Sequence, residues 1–449
     1  MQMRLRESLI TRALVLPVQE FIHIQGISSI LLLGAAIAAL IWANSPWRDY
    51  YHHVWEVELR LSGIQLPIHA WINDALMAIF FFLVGMEIKH EIVHGELSDI
   101  RKASLPIVGA LGGMIVPALL FVAMNYGGTG LRGLGVPMAT DIAFSLGVLG
   151  MVKGIPPELK VFLLTLAIAD DIGAIIVIGL FYTRTLHVQA LLLDAFILLV
   201  MFVLQRIGVT RTIAYVLLGC LFWVATLRSG LHATIAGVIL GFMVPTTPRL
   251  SLEEFLEIGS DMIHRFRVAR SEGDLATANR LLGSFEQLLH ATEAASERAT
   301  RKLNDWVSFL VLPLFALSNA GVTFSRDAMS GLLSSRIVWG ILLGLVIGKP
   351  LGIVGFSKLA VKSGLARLPS GVNWLHMNAV GILAGIGFTV SIFISSLAFE
   401  DNPQLLQAKA AVLAASLIAG LGGYFALRHE AKSETVTQSA EERSTLSDS

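Results

Sequence analysis

Apolar residues run through this chain in blocks of about 20, parted by short polar breaks, from Ile27 to Leu427. A helix rises 1.5 Å per residue and the hydrocarbon core of a bilayer is about 30 Å thick, so one such block makes one crossing. The pattern predicts spans near 27–43, 72–89, 104–125, 134–151, 161–182, 189–205, 213–227, 231–245, 306–321, 337–357, 375–399 and 410–427. The expected fold class is an all-α polytopic membrane protein of about 12 transmembrane helices.

Three segments fall outside the pattern. Residues 1–26 read as a cytoplasmic surface segment leading into the transmembrane domain, 27–427. A signal peptide fits poorly there, because the apolar run Ala13–Leu16 is short and Glu20 and His23 follow it. The loop 246–304 is rich in Glu, Arg, Ala and Leu, with helix-spaced Leu275, Ala278, Leu281 and Leu282. It predicts a cytoplasmic helical insertion folded as a hairpin. The tail 428–449 is dominated by Ser, Thr and Glu with little to bury, and is expected to be disordered.

Composition narrows the classes. Of 449 residues 55% are apolar and 15% charged, and mean hydropathy is +0.71, outside the range of a water-soluble domain of this size. The 33 basic and 33 acidic residues cancel, with no basic stripe and no zinc-type cluster, so neither nucleic acid nor a structural metal is an expected partner and no cofactor is expected. Cys220 is the single cysteine, which rules out an intrachain disulfide. An even number of spans puts both termini on one side. With the long loop left out, 16 Lys and Arg residues fall on that side against eight on the other, which predicts cytoplasmic termini for a multi-pass protein of the inner (plasma) membrane.

Among the charges inside predicted spans, where insertion of each costs about 2.5 to 3.5 kcal/mol and function is the default reading, four stand out. Asp170 and Asp171 sit in Ala167-Ile-Ala-Asp-Asp-Ile-Gly, at mid-span. Asp141 lies in Met138-Ala-Thr-Asp-Ile and Lys349 in Ile347-Gly-Lys-Pro. Neighbouring residues on a helix point about 100° apart, so the two adjacent carboxylates share a cavity only if it lies between their directions. About 5 Å apart, they would repel by about 3 kcal/mol at an effective dielectric near 20. A cation or protons must neutralise them, and that competition is what an exchanger requires. Thr140, Asp141, backbone carbonyls or water would complete oxygen coordination of a hard monovalent ion. One lysine pairs with at most one of the three acids.

The span with Asp141 carries Gly133, Gly135 and Pro137, and the span from 375 carries Gly381, Gly385 and Gly387. Both are expected to unwind near the midplane, where Asp141 would compensate positive half-helix ends and Lys349 negative ones.

The segments Thr140-Asp-Ile-Ala-Phe-Ser-Leu-Gly, Ala169-Asp-Asp-Ile-Gly-Ala-Ile, Gly230-Leu-His-Ala-Thr-Ile-Ala-Gly, Leu312-Pro-Leu-Phe-Ala-Leu-Ser-Asn-Ala-Gly, Ile347-Gly-Lys-Pro-Leu-Gly and Gly385-Ile-Gly-Phe-Thr resemble the NhaA sodium/proton antiporter family. So does Trp71-Ile-Asn-Asp-Ala-Leu-Met-Ala-Ile-Phe-Phe-Phe-Leu-Val-Gly-Met-Glu-Ile-Lys, and the likeness covers about 25–427. The resemblance implies inverted repeats with two crossed, discontinuous helices built around Asp141 and Gly385. It implies Na+ or Li+ bound by Asp170 and Asp171, charge compensation and proton exchange at Lys349, and electrogenic, pH-dependent extrusion of Na+ against entering protons. Glu87 and Glu91 would line a cytoplasmic funnel, His232 matches a histidine linked to pH response, and a homodimer is an expected assembly.

Departures from the family pattern touch the pH response. The funnel motif reads Glu87-Ile-Lys-His-Glu91, with His90 in place of an arginine, and Arg301-Lys-Leu-Asn-Asp precedes Trp306 where strongly pH-sensing members carry Glu and His. Asp194 has no family counterpart in role and is expected near the membrane surface. Two other classes compete. An intramembrane aspartyl protease would use Asp141 with Asp170, but its Tyr-Asp and Gly-x-Gly-Asp motifs are absent and it needs neither Asp171 nor Lys349. A passive cation channel would favour weak sites in an open pore over a coupled carboxylate pair.

Overall fold

The computed structural model describes residues 16–447 except 62–63, 184–185, 208, 210–211, 249, 324–330 and 400–401. Residues 1–15 of the expected N-terminal segment lie outside the described residues. The chain runs through α1 (Leu16–Ala43), α2 (Arg48–Glu56), a hairpin of β1 (Glu58–Leu61) and β2 (Ile64–Pro67), α3 (Ile68–Val93) and α4 (Ile100–Asn125). A 3-10 helix (Thr129–Met138) then leads to α5 (Ile142–Gly150), followed by α6 (Pro157–Phe181), α7 (Val188–Arg206), α8 (Thr212–Ser229) and α9 (Ala233–Met243). After these come α10 (Leu252–Ser271), α11 (Leu275–Thr292), α12 (Ala295–Trp306), α13 (Leu312–Asn319), α14 (Arg336–Lys362), α15 (Trp374–Ala384), α16 (Phe388–Ala398) and α17 (Asn402–Ser447).

The fold is all-α apart from the short antiparallel hairpin, in which Glu58 pairs with Pro67 and Leu61 with Ile64. Every predicted span falls mostly on helical backbone. Seven described helices are long and apolar enough to cross a bilayer, and two further spans are bent pairs. One pair is Thr129–Met138 with α5, bent by 40°, and the other is α15 with α16, bent by 43°. The protein is a multi-pass membrane protein. Two proline sites distort helices without breaking them. A π turn, Val307–Val311, joins α12 to α13 just ahead of Pro313, and another, Gly344–Gly348, stands inside α14 just ahead of Pro350. A proline ring clashes with the carbonyl four residues back, and a widened turn relieves that clash.

The crossing elements repeat. A long helix, a broken helix and a long helix occur first as α4, the Thr129–Gly150 pair and α6, and again as α14, the α15–α16 pair and α17. Counted on the twelve spans expected from the sequence, the first triplet starts at the third and the second at the tenth. An odd number of crossings separates the two starts, so the triplets point in opposite directions through the membrane, as inverted repeats. They pack on each other through α4 and α14, while α3 packs on α9, α7 on α8, and α13 on α1 beside them. The contact of α4 with α14 is a backbone approach. A Cβ on Gly112 would sit 2.2 Å from the Gly352 carbonyl and one on Gly352 would sit 2.1 Å from that of Gly112.

The insertion folds as α10 and α11, which pack together. Ser251 and Glu254 form a reciprocal capping box at the start of α10, and Asp274 accepts from the Thr277 N–H at 3.0 Å to cap α11. Gly273 makes the turn between them at φ +77. The α17 backbone is helical from Asn402 to Ser447.

Candidate functional site

The two bent pairs meet at their breaks. The first break falls at Ala139–Asp141 and the second at Gly385–Gly387, so both spans are interrupted as expected, with Pro137 inside the 3-10 helix and Gly381 inside α15. The Asp141 N–H donates to the Ile386 carbonyl at 2.7 Å, a backbone bond from one break to the other. Gly385 is the residue that permits the crossing. A Cβ there would lie 2.4 Å from the Leu345 carbonyl of α14.

Each half-helix end at the crossing has a partner. Asp141 is the N-cap of α5, and its Oδ1 accepts from the Phe144 N–H at 3.0 Å. Its Oδ2 accepts from the Thr389 N–H at 3.0 Å and the Thr389 hydroxyl at 2.5 Å, in the first turn of α16. One buried carboxylate thus caps two helix N-termini, where orphan N–H groups and the positive ends of two dipoles converge. This is the compensation expected of Asp141. Both its oxygens are committed to it, which argues against the direct ion ligand also considered.

Asp170 and Asp171 lie just past the middle of α6, 0% and 3% exposed. Asp170 Oδ2 accepts from Lys349 Nζ and, at 2.7 Å, from the Thr140 hydroxyl. Lys349, also 0% exposed, donates to Thr140 Oγ1 at 2.7 Å, and that hydroxyl is within 2.9 Å of the Ala384 carbonyl at the C-terminal end of α15. Lys349 was expected to answer negative half-helix ends. It reaches one through Thr140 and is itself in a direct ion pair with Asp170. Asp170 Oδ1 and Asp171 Oδ2 are buried without a hydrogen-bond partner. Asp171 lies within electrostatic reach of Asp170, Glu87, Asp141 and Lys349. The crossing therefore holds two adjacent carboxylates, one cation bound to only one of them, and two buried oxygens with nothing donated to them. An uncompensated buried carboxylate oxygen calls for a proton or a cation.

The remaining sequence candidates divide. Glu87 is half-buried on α3 on the side of Asp171. Glu91, one turn on, is tied to the loop, its Oε2 accepting from the Glu96 N–H at 3.0 Å. His232 is the residue before α9, and its Nε2 is 2.7 Å from the Tyr182 carbonyl at the end of α6. Asp194 lies in the second turn of α7, near one end of that helix, and is 6% exposed against α8, where the Thr226 hydroxyl donates to it at 3.3 Å. Thr389 was not singled out beforehand. The signal was a hydroxyl residue two positions after the glycine break of Gly385-Ile-Gly-Phe-Thr, in the first turn of α16, where backbone N–H groups are unpaired.

Comparison with known proteins extends the picture over the whole membrane domain. The family model described as Na+/H+ antiporter 1 matches residues 19–427. The chain is 44% identical over 419 residues to the Na(+)/H(+) antiporter NhaA 2 of Syntrophotalea carbinolica, covering 92% of this chain and 96% of that one. It is 42% identical over 421 residues to the Na(+)/H(+) antiporter NhaA of Wolinella succinogenes, covering 90% and 91%. To the NhaA antiporter of Rhodopirellula baltica it is 43% identical over 412 residues, covering 91% and 92%. With a family match across the membrane domain and relatives of this identity and coverage, the chain belongs to the NhaA family of Na+/H+ antiporters.

Proposed function

We propose that the chain extrudes Na+, and Li+, from the cytoplasm in exchange for external protons, and that ion and protons compete for Asp170 and Asp171. The observation that carries this reading is the buried Lys349–Asp170 pair beside the unpartnered Oδ2 of Asp171. In the ion-free state Lys349 carries its proton and holds Asp170, while Asp171 holds a proton that offsets its burial. The site is then neutral. A Na+ held by both carboxylates takes over the Asp170 oxygen that Lys349 occupied and displaces the proton of Asp171. Lys349, left buried without its counter-ion, gives up its own proton.

Two protons thus leave as one Na+ binds, and the site gains one negative charge. Reversing this on the other side of the membrane moves one net charge per cycle, so transport is electrogenic. A membrane potential then contributes about 2.3 kcal/mol per 100 mV. Both termini are cytoplasmic on the basic-residue count, in the inner membrane. Glu87, on the cytoplasmic half of α3, attracts the arriving cation.

The test is acridine-orange dequenching in everted vesicles on addition of Na+, Li+ or K+. Na+ and Li+ should release the proton gradient and Asp171→Asn vesicles should not respond. A full response in Asp171→Asn would remove the aspartate pair as the site.

A further inference from the structure

Between the candidate site and the external face the structure carries two layers. The first is aromatic. Phe81 of α3 packs against Phe393 of α16 at 5.4 Å between ring centroids, and Phe315 of α13 against the same ring at 6.4 Å, all three 2% exposed or less. The second is polar and farther out on the same helices. Asn319, 4% exposed, ends α13 and donates to Asn73 Oδ1 of α3 at 2.8 Å. Its own Oδ1 accepts from Lys409 Nζ of α17 at 3.3 Å. Lys409 is a half-buried cation near the external end of a transmembrane helix, and its hydrogen bond here is to a neutral amide.

The chain Lys409, Asn319, Asn73 has a place in the architecture that its chemistry alone would not reveal. Lys409 belongs to the second inverted triplet, and the two triplets together carry the crossed breaks. Asn319 and Asn73 belong to helices packed beside the triplets. Alternating exposure of a midplane site requires these two groups of helices to move against each other. A bond across their boundary at one end exists in one arrangement and is lost in the other.

We propose that Lys409 and Asn319 form an external latch, made while the external passage is shut and broken when it opens, so that their bond sets how much of the time the site faces outward. Lys409 is a positioning residue. It touches neither ion nor site, and the aromatic layer beneath it opens only after the latch is released. The sidedness rests on the orientation given under Proposed function; the latch itself does not.

Met77 provides the readout. It lies one turn from Asn73 and one turn from Phe81 on α3, between the two layers, and is 0% exposed. In a Cys220→Ser background, Met77→Cys is labelled with a membrane-impermeant maleimide in right-side-out and in everted vesicles. With the latch intact labelling should be slow. Lys409→Met should raise the initial rate about tenfold in right-side-out vesicles, the population change set by about 1.4 kcal/mol. Lys409→Arg, which keeps the donor, should stay slow. Asn319→Ala removes the acceptor from the other helix and should match Lys409→Met, so it carries the test if the lysine variant fails to reach the membrane. Unchanged labelling with either partner removed, or an equal rise in Lys409→Arg, overturns the latch. A rise confined to everted vesicles keeps the latch and reverses the orientation, and loss or survival of exchange in Asp171→Asn bears on the site alone.

Discussion

Lys349 and Asp170 form an ion pair in which neither side chain is exposed, and Thr140 bonds to both partners. A pair withdrawn from water this completely is expensive to make and more expensive to halve. Its value lies in what can replace one of its members.

Removing the lysine alone should therefore hurt more than removing both charges. Lys349→Met leaves Asp170 buried and unpaired, at a cost of about 3 to 5 kcal/mol, whereas Lys349→Met with Asp170→Asn should regain most of that stability without restoring exchange. Thermal unfolding in detergent measures the first effect and vesicle exchange the second. Equal stability of the single and double variants would contradict the pairing.

Asp141 acts through two helix ends rather than through its charge. Asp141→Ala frees donors on α5 and α16 together and should cost about 1 kcal/mol per cap, lowering both melting temperature and exchange. Asp141→Asn keeps an acceptor oxygen and should retain more of each. If Asn behaved as badly as Ala, the negative charge itself would be the requirement.

At Gly385 the prediction is steric. A methyl group would meet the Leu345 carbonyl at 2.4 Å, so Gly385→Ala should force the crossing apart and cost about 1 to 3 kcal/mol, with loss of exchange. Gly355→Ala on α14, where nothing lies within 4 Å, should be close to neutral on both measures.

The hairpin of α10 and α11 should loosen in acid at its caps. The carboxyls of Glu254 and Asp274 are held below their ordinary range, Glu254 by bonds from Ser251 and Asp274 by bonds from Thr277. A depressed carboxyl contributes stability above its unfolded pKa and loses it as pH falls through the lower, folded value. Amide protection at the first turns of both helices, with the intrinsic pH dependence of exchange divided out, should thus fall only below about pH 4. Loss of protection already at neutral pH would contradict the capping.

The all-α membrane fold, the buried aspartates and both breaks could be read from the chain because each leaves a local mark: a run of apolar residues, an ionisable group where none belongs, or glycine and proline inside a span. What could not be read depends on residues far apart in sequence. That one Asp141 carboxylate caps α16 as well as α5 follows from a contact 248 positions away. Lys349 reaches Asp170 across 179 positions, so its depth could be read but not its partner. His232 and Glu91 carried functional expectations from the family resemblance, and the fold gives each a backbone partner. The β1–β2 hairpin was missed because Glu58–Leu61 and Ile64–Pro67 are too short to show a period.

The most direct measurement is proton release when Na+ is added to purified protein in weakly buffered detergent solution. Competition at the aspartate pair predicts about two protons released per Na+ bound by the native chain, fewer from Lys349→Met, and none from Asp170→Asn with Asp171→Asn. Sodium binding by the native chain without any proton release would contradict the account.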